Sequence, residues 1–463
     1  MATTEQYDAI VIGAGQAGGP LSSALAQAGK KTAIIEREHV GGTCINEGCT
    51  PTKTMVASAR VAYLARRGAD YGVHTGPIEI DMSVVRKRKR DIVTSFRSGS
   101  QSRLEKTEGL DLIMGEGSFV APKTIEVRLQ SGELRRLSAD LIFLNVGDRP
   151  SAPQIKGADT VEFLNSTSIM ELDRVPEHLL VLGGGYVGLE FGQMFRRFGS
   201  QVTIVQRGKQ LLMREDPDIA DEVTSILRDD GVDVLLQTSA IKVARSSNGG
   251  VQLTVRSEEG ERTITGSHIL SAAGRQPNSD SLHLDVVGIA TNKHGYIHVN
   301  DRLETNVPGI YALGDVKGGP AFTHMSYDDF RIIRTNLIEH GSASIKDRML
   351  LYTVFIDPQL GRVGLTETEA REQGRKIKVA KMPMSYVARA LEVDEARGVM
   401  KAIVDAENEQ ILGAAVLGLE GGEIMSMLEI AMLGKLPYTT LRDGVFAHPT
   451  LAESLNNLFG SFE

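Results

Sequence analysis

Two glycine-rich turns stand at a fixed offset in this chain. Gly13-Ala-Gly15-Gln-Ala-Gly18 and Gly183-Gly-Gly185-Tyr-Val-Gly188 begin 170 residues apart. Each has the same surroundings. Tyr7 to Ile12 is a short apolar run of the kind that forms a buried parallel strand. After the first turn, Pro20 to Ala28 has helical composition and stops at Gly29, and Lys31 to Ile35 makes a second strand ending at Glu36. In the second copy Leu179 to Leu182 is the strand, Leu189 to Phe198 the helix, Gly199 the stop, and Gln201 to Val205 the next strand. It ends at Gln206, again 170 residues after its counterpart. Strand, glycine turn, helix and strand make the βαβ unit that holds a dinucleotide. Its glycines permit the tight turn and let the backbone approach the pyrophosphate. Three glycines alone would say little; twice in full context, they specify an α/β chain with two Rossmann-like domains.

The rest of the chain fits round these two units. Residues 141–150 and 269–277 each read as a strand running into a glycine turn, and each would close one lobe. Ile310 to Asp315 is a further buried strand ending at an acid. Beyond Leu350 the texture changes to α+β. Helices are expected over 367–373, 422–433 and 450–459, and strands over 376–384, 398–404 and 411–417.

With 51 basic and 59 acidic side chains, the net charge is −8, a poor basis for binding nucleic acid. The five consecutive cations Arg86 to Arg90 are expected to be a solvated face of a helix over 83–108. No run of 18 apolar residues suggests a membrane span, and the polar start, Met1 to Tyr7, carries no signal-peptide pattern. A cytoplasmic location is expected.

The two cysteines, Cys44 and Cys49, lie in Gly41-Gly-Thr-Cys-Ile-Asn-Glu-Gly-Cys-Thr-Pro-Thr-Lys53. Two cysteines cannot staple a chain of 463 residues. Their glycine- and lysine-rich setting suits a reactive thiol pair better than two small buried side chains. His448 precedes Pro449 and stands five residues before Glu453, a base with an orienting carboxylate. The two strand ends also differ. Glu36 can accept hydrogen bonds from a ribose diol; Gln206 lacks the charge that would repel a 2′-phosphate, and Arg207 could bind one. NADPH is therefore the expected nucleotide, with NADH as a second donor.

Together these motifs resemble the pyridine-nucleotide-disulfide oxidoreductases, the group of dihydrolipoamide dehydrogenase, glutathione reductase and mercuric reductase. The resemblance also rests on Glu190, on Gly274-Arg-Gln-Pro-Asn278, on Tyr311-Ala-Leu-Gly-Asp315 and on His448-Pro-Thr. It implies an FAD-binding domain over 1–150 resumed at 273–348, an NAD(P)-binding domain over 151–272, and a dimerisation domain over 349–463. Gly13, Gly15, Gly18, Glu36, Gly42, Thr43, Lys53, Gly117, Gly147, Gly314 and Asp315 would serve FAD. Gly183, Gly185, Gly188, Gln206, Arg207, Gly274 and Arg275 would serve the nucleotide. Cys44 would be the interchange thiol and Cys49 the thiol beside the flavin, with Lys53 paired to Glu190. His448 and Glu453 would come from a second subunit, making a homodimer with shared active sites. No resident metal is expected.

The acceptor would be a small disulfide or a metal ion of the mercuric or copper type. A dihydrolipoamide dehydrogenase activity with NAD, an oxidase or quinone reductase working directly from FAD, and a non-catalytic flavoprotein are the alternatives. Two departures stand out. The chain ends without the vicinal cysteines typical of mercuric reductases, and Asn145-Val-Gly-Asp148 replaces the usual Ala-Thr-Gly-Ser or Ala-Thr-Gly-Ala.

Overall fold

The computed structural model describes residues 4–247 and 249–462. Met1–Thr3, the start of the polar leader, lie outside the described residues. The chain divides into two compact units. One holds residues 1–54, 84–151 and 274–348; the other holds 55–83, 152–273 and 349–463.

The first unit is built on a parallel sheet. Its strands, in spatial order, are Leu110–Ala121, Thr32–Glu36, Ala9–Ile12, Leu141–Leu144 and Ile310–Ala312. Ala9–Ile12 is buried along its whole length, as a central strand covered on both faces must be. The long strand Leu110–Ala121 serves twice: its first half pairs parallel with Thr32–Glu36, and its second half antiparallel with Thr124–Leu129. Helices α1 (Gly18–Gln27), α2 (Gly42–Asn46) and α3 (Cys49–Arg66) follow the first turn, the last of them crossing into the second unit at residue 55. Helix α4 (Met82–Glu105) comes next.

The basic run departs from expectation. A helix advances about 100° per residue, so five consecutive cations cannot share one face. Lys89 is buried, Arg86 is half-buried, and Arg88 donates from Nη1 to the Thr54 carbonyl at 2.7 Å. Only part of the run is solvated.

The second unit repeats the plan. Its parallel sheet runs Asp233–Leu235, Gln201–Val205, His178–Leu182, His268–Ser271, with α5 (Tyr186–Phe198) after the turn and α6 (Pro217–Asp229) beyond it. The three antiparallel strands Ser239–Arg245, Val251–Ser257 and Gly260–Gly266 carry no motif and were not foreseen. The same unit includes the five-stranded antiparallel sheet of residues 351–418. The helix expected over 450–459 starts only at Ser454, because the Thr450 hydroxyl donates to the Ala447 carbonyl and accepts from the Glu453 amide, holding a turn there.

Buried charge ties residues 152–273 and 349–463 of the second unit together. Glu215 and Arg362 are both buried; Arg362 donates from Nε at 3.0 Å and also from Nη2, while the Tyr352 hydroxyl donates to the other carboxylate oxygen. Asp216 accepts from the Thr368 and Glu367 amides and pairs with Lys401. The segment Met213–Pro217 is therefore a clamp. Among the described residues no helix is long and apolar enough to cross a membrane.

Removing one partner of a buried pair leaves an unpaired buried charge, which costs about 3–5 kcal/mol. Arg362→Leu should lower the chemical-denaturation stability by about that much, and Arg362→Leu with Glu215→Leu by less. Equal losses in the single and double variants would refute the clamp.

Candidate active site

The first glycine turn is fixed by backbone crowding. Gly13 has φ +100°, and a Cβ there would stand 2.3 Å from the Asn145 carbonyl oxygen; a Cβ on Gly18 would stand 2.0 Å from the Gly13 oxygen. Alanine fits at neither. The Glu36 carboxylate accepts from the Ala14 amide at 2.9 Å and from the Glu38 and His39 amides. The Asn145 side chain accepts from the Gly18 amide at 2.9 Å and donates to the Leu313 carbonyl at 3.0 Å. The departure at 145 is thus a latch between the turn and the Gly314–Asp315 turn.

Gly314 (φ +69°) donates its amide to Asp329 at 2.7 Å. Burial pushes the Asp315 carboxyl up to about 7, with the field of Asp148 adding to the rise and Arg275 and Lys317 opposing it. Arg275 donates to Asp148 at 2.7 Å, across the short ladder that pairs Asp148–Pro150 with Arg275–Pro277. Gly147 and Gly274 take positive φ, as the turns before these strands require. Gly117 sits inside a strand, where a Cβ would press on Ile35 and Ile125, so close packing alone accounts for it.

The cysteines sit on two helices. Cys44 lies within α2 and Cys49 opens α3, with a break at Gly48, where a Cβ would meet the Thr43 oxygen at 2.9 Å. The loop is pressed against the turn, since a Cβ on Gly42 would stand 2.8 Å from the Gly15 Cα. Cys49 Sγ is 3.4 Å from the Thr323 hydroxyl, at the start of α7 (Thr323–Leu337). A hydrogen bond to Cys49, burial and the negative field of a Cys49 thiolate all push the Cys44 thiol up. Cys44 is therefore the thiol of the pair whose proton is harder to remove. Thr323 escaped the sequence reading because a hydroxyl 274 residues from its thiol leaves no local pattern.

In the second unit the turn is reproduced. A Cβ on Gly183 (φ +111°) would stand 2.5 Å from the Ala272 oxygen, and one on Gly188 would stand 2.1 Å from the Gly183 oxygen. Gln206 occupies the place of Glu36, but both ends of its amide are engaged. Its oxygen accepts from the Gly184 amide at 3.2 Å and its nitrogen donates to the Gln210 carbonyl at 3.0 Å. Gln206 thus holds the loop, as Glu36 does in the first unit, and its amide keeps a second lone pair and a second N–H. Arg207, Lys209 and Arg214 are exposed, and no ion pair or side-chain hydrogen bond engages them among the described residues. Glu190 is buried and accepts from the Phe355 amide at 2.9 Å. His448 Nδ1 lies 2.8 Å from Glu453 Oε2, which leaves Nε2 of an exposed ring for proton transfer. Among the described residues no group of three or more His, Cys, Asp or Glu side chains could hold a metal.

Residues 7–329 match the family described as pyridine nucleotide-disulphide oxidoreductase, and residues 351–459 match its dimerisation domain. The chain belongs to the pyridine nucleotide-disulphide oxidoreductase family. It is 40% identical over 458 residues to the probable pyridine nucleotide-disulfide oxidoreductase RclA of Escherichia coli, covering 98% of this chain and 99% of that one. It is 34% identical to a mercuric reductase of Bacillus cereus, covering 97% of this chain and 70% of that one. The structure described as the HOCl-induced flavoprotein disulfide reductase RclA from Escherichia coli superposes with a TM-score of 0.88 at 39% identity, over 98% and 99% of the two chains. Its Cu(II) complex gives 0.89 at 38% identity, over 99% of each. The chain is a flavin-dependent oxidoreductase that carries electrons from NAD(P)H through FAD and a disulfide to a disulfide or metal acceptor.

The crowded first turn fits FAD: Gly13 and Gly18 have no room for a side chain, and the turn leads directly into the N-terminus of α1, the kind of end that binds a pyrophosphate. The raised Asp315 carboxyl gives a test. Its ordinary value is about 3.9. Between about pH 4 and pH 7 the folded chain holds a proton that the unfolded chain has released, so this group's contribution to stability falls as pH rises. Asp315→Asn should remove that fall in the cofactor-free protein. Thermal melts across this range should show the variant gaining on the parent as pH rises, and a pH-independent difference would refute the assignment.

Proposed function

We propose that this enzyme uses NADPH to reduce a small disulfide, with Cys44 as the attacking thiol, Cys49 as the resolving thiol and His448 as the proton carrier. The carboxylate-oriented imidazole of His448, together with a Cys44 thiol pushed up by its hydrogen bond to Cys49 and by burial, supports this reading. A Cys44 thiol cannot attack until a base removes its proton, and a histidine oriented by Glu453 is such a base. Its exposed ring suits a site completed by a second subunit, so the working unit is a homodimer, in keeping with the dimerisation-domain match.

When bound, FAD supplies the chemistry that accepts a hydride from the nicotinamide and returns the electron pair to the cysteines. Gly13, Gly15, Gly18, Glu36, Gly42, Thr43, Lys53, Gly314 and Asp315 would hold it. Gly183, Gly185, Gly188 and the Gln206-anchored loop would hold the nucleotide. The deprotonated Cys44 attacks one sulfur of the substrate, forming a mixed disulfide and expelling a thiolate, to which His448 returns the proton. The Cys49 thiolate then attacks Cys44, forming the Cys44–Cys49 disulfide and releasing the second thiolate. Two electrons leave the cysteines and reduce one disulfide to a thiol and a thiolate, the second taking its proton from water.

A metal-ion acceptor is the second reading. It is favoured by the likeness to a mercuric reductase and to a relative solved with Cu(II). The two separate experimentally. His448→Ala should slow disulfide turnover by about 10²–10⁴-fold, the usual span for acid–base catalysis. Reduction of Cu(II) or Hg(II), which needs no leaving thiol protonated, should change little. Cys44→Ser should abolish disulfide turnover and leave benzoquinone reduction intact. Disulfide turnover that survives Cys44→Ser would refute the proposal.

For the nucleotide, the exposed cations beside Gln206 support NADPH. Arg207→Ala should raise KM for NADPH by about ten- to hundredfold, as loss of a charge-assisted hydrogen bond of roughly 1.5–3 kcal/mol implies. KM for NADH should not move. A kcat/KM for NADH above that for NADPH in the parent enzyme would refute the choice.

A further inference from the structure

The helix that carries Cys44 is too short to hold its own shape. α2 has five residues, none of them buried, and its N-cap residue Gly41 supplies no side-chain bond. A single turn does not form alone, since nucleation fixes several dihedrals for one hydrogen bond. Apolar burial does not hold it either. Its position is set by polar latches, all within the first unit. The Gly41 amide donates to the Ala14 carbonyl at 2.8 Å, and the Gln16 side chain donates to the Gly41 carbonyl at 3.0 Å.

The third latch is Asn46, the last residue of α2. Its Nδ2 faces the carbonyls of Gly42 at 2.9 Å, Val40 at 3.1 Å and His39 at 3.4 Å. This works only with the amide in one orientation. Turned over, Oδ1 would face three carbonyl oxygens. The half-buried Arg97, on α4, donates from Nε to Asn46 Oδ1 at 2.7 Å. A guanidinium offers donors and no acceptor, so it accepts only the orientation that points the amide protons at the carbonyls.

We infer that Arg97 is a positioning residue for the redox loop: it locks the Asn46 amide and thereby sets where α2 presents Cys44 to Cys49 and to substrate. It touches neither sulfur. The inference rests on Cys44 being the interchange thiol, and it assigns to α4 a part in catalysis that its surface-like sequence does not suggest.

The test compares Arg97→Met, which removes the donors, with Arg97→Lys, which keeps one. Turnover with the best disulfide from a lipoamide, glutathione disulfide and mycothione panel reports on the cysteines. Benzoquinone reduction by the same holoenzyme bypasses them. Arg97→Met should lower disulfide turnover by about tenfold or more, as misplacement of a reacting group does. It should leave quinone reduction unchanged, and Arg97→Lys should recover most of the loss. Equal losses in both assays, or no loss in either, would overturn the inference. Cys44→Ser, run beside them, reports separately on the proposed mechanism. Should that variant keep disulfide turnover, iodoacetamide labelling of the reduced protein still decides for Arg97: an altered ratio of Cys44 to Cys49 labelling in Arg97→Met supports the inference, and an unchanged ratio overturns it.

Discussion

The contact on which both glycine turns depend is the approach of a glycine to a neighbouring strand end. In each copy the first glycine of the turn lies so near a carbonyl that a Cβ would stand 2.3 or 2.5 Å from its oxygen, and in each the third glycine presses on the first. Only a backbone without side chains can make that turn, and only that turn aims the helix N-terminus at a pyrophosphate. The positions of Glu36 and Gln206 follow, because each reaches back to the amide of the turn's second residue. Hence the 170-residue offset recurs in the geometry as well as in the letters.

A second set of constraints is electrostatic and lies in the second unit. Asp357 pairs with Arg60 and Arg197, Glu395 with Arg60 and Arg67, and Asp230 with Arg397. The ring of Tyr63 lies among these guanidiniums, 3.9 Å from that of Arg197. Burying so many charges is tolerable only because each acid meets more than one donor, and holding them in one arrangement specifies the packing more than it stabilises it. With the Glu215–Arg362 clamp, this fixes residues 55–83 and 349–463 against the nucleotide-binding segment.

What was legible in the sequence was local. The glycine turns, the cysteine loop and the His448–Glu453 pair have all their information within a few residues. So do most strands, whose apolar runs are short and bounded. What escaped depends on partners far along the chain: Arg97 meets Asn46 across 51 residues, Arg362 meets Glu215 across 147, and Cys49 meets Thr323 across 274. Charged residues in a helix read as surface, since nothing nearby announces that one of them faces inward. The hold of Gln206 on its own loop was equally hidden, since nothing in the sequence marks the Gln210 carbonyl as its partner.

The two glycine turns share a geometry but differ in the residue behind them. In the first, the residue behind the turn is Asn145, whose side chain ties Gly18 to Leu313 and so to the Gly314–Asp315 turn. In the second, the equivalent carbonyl belongs to Ala272, which has no polar side chain to extend the contact. The backbone of each turn is tied to the next strand, by the Gly13 amide to Ile35 and the Gly183 amide to Val205, and the first turn adds the Asn145 side-chain latch. A cofactor that stays through every cycle gains from a cradle that cannot loosen. A nucleotide that must leave after giving up its hydride gains from one that can, because product release cannot be slower than turnover. Under the proposed assignment of FAD to the first turn and NADPH to the second, the Asn145 latch stands behind the dinucleotide that stays.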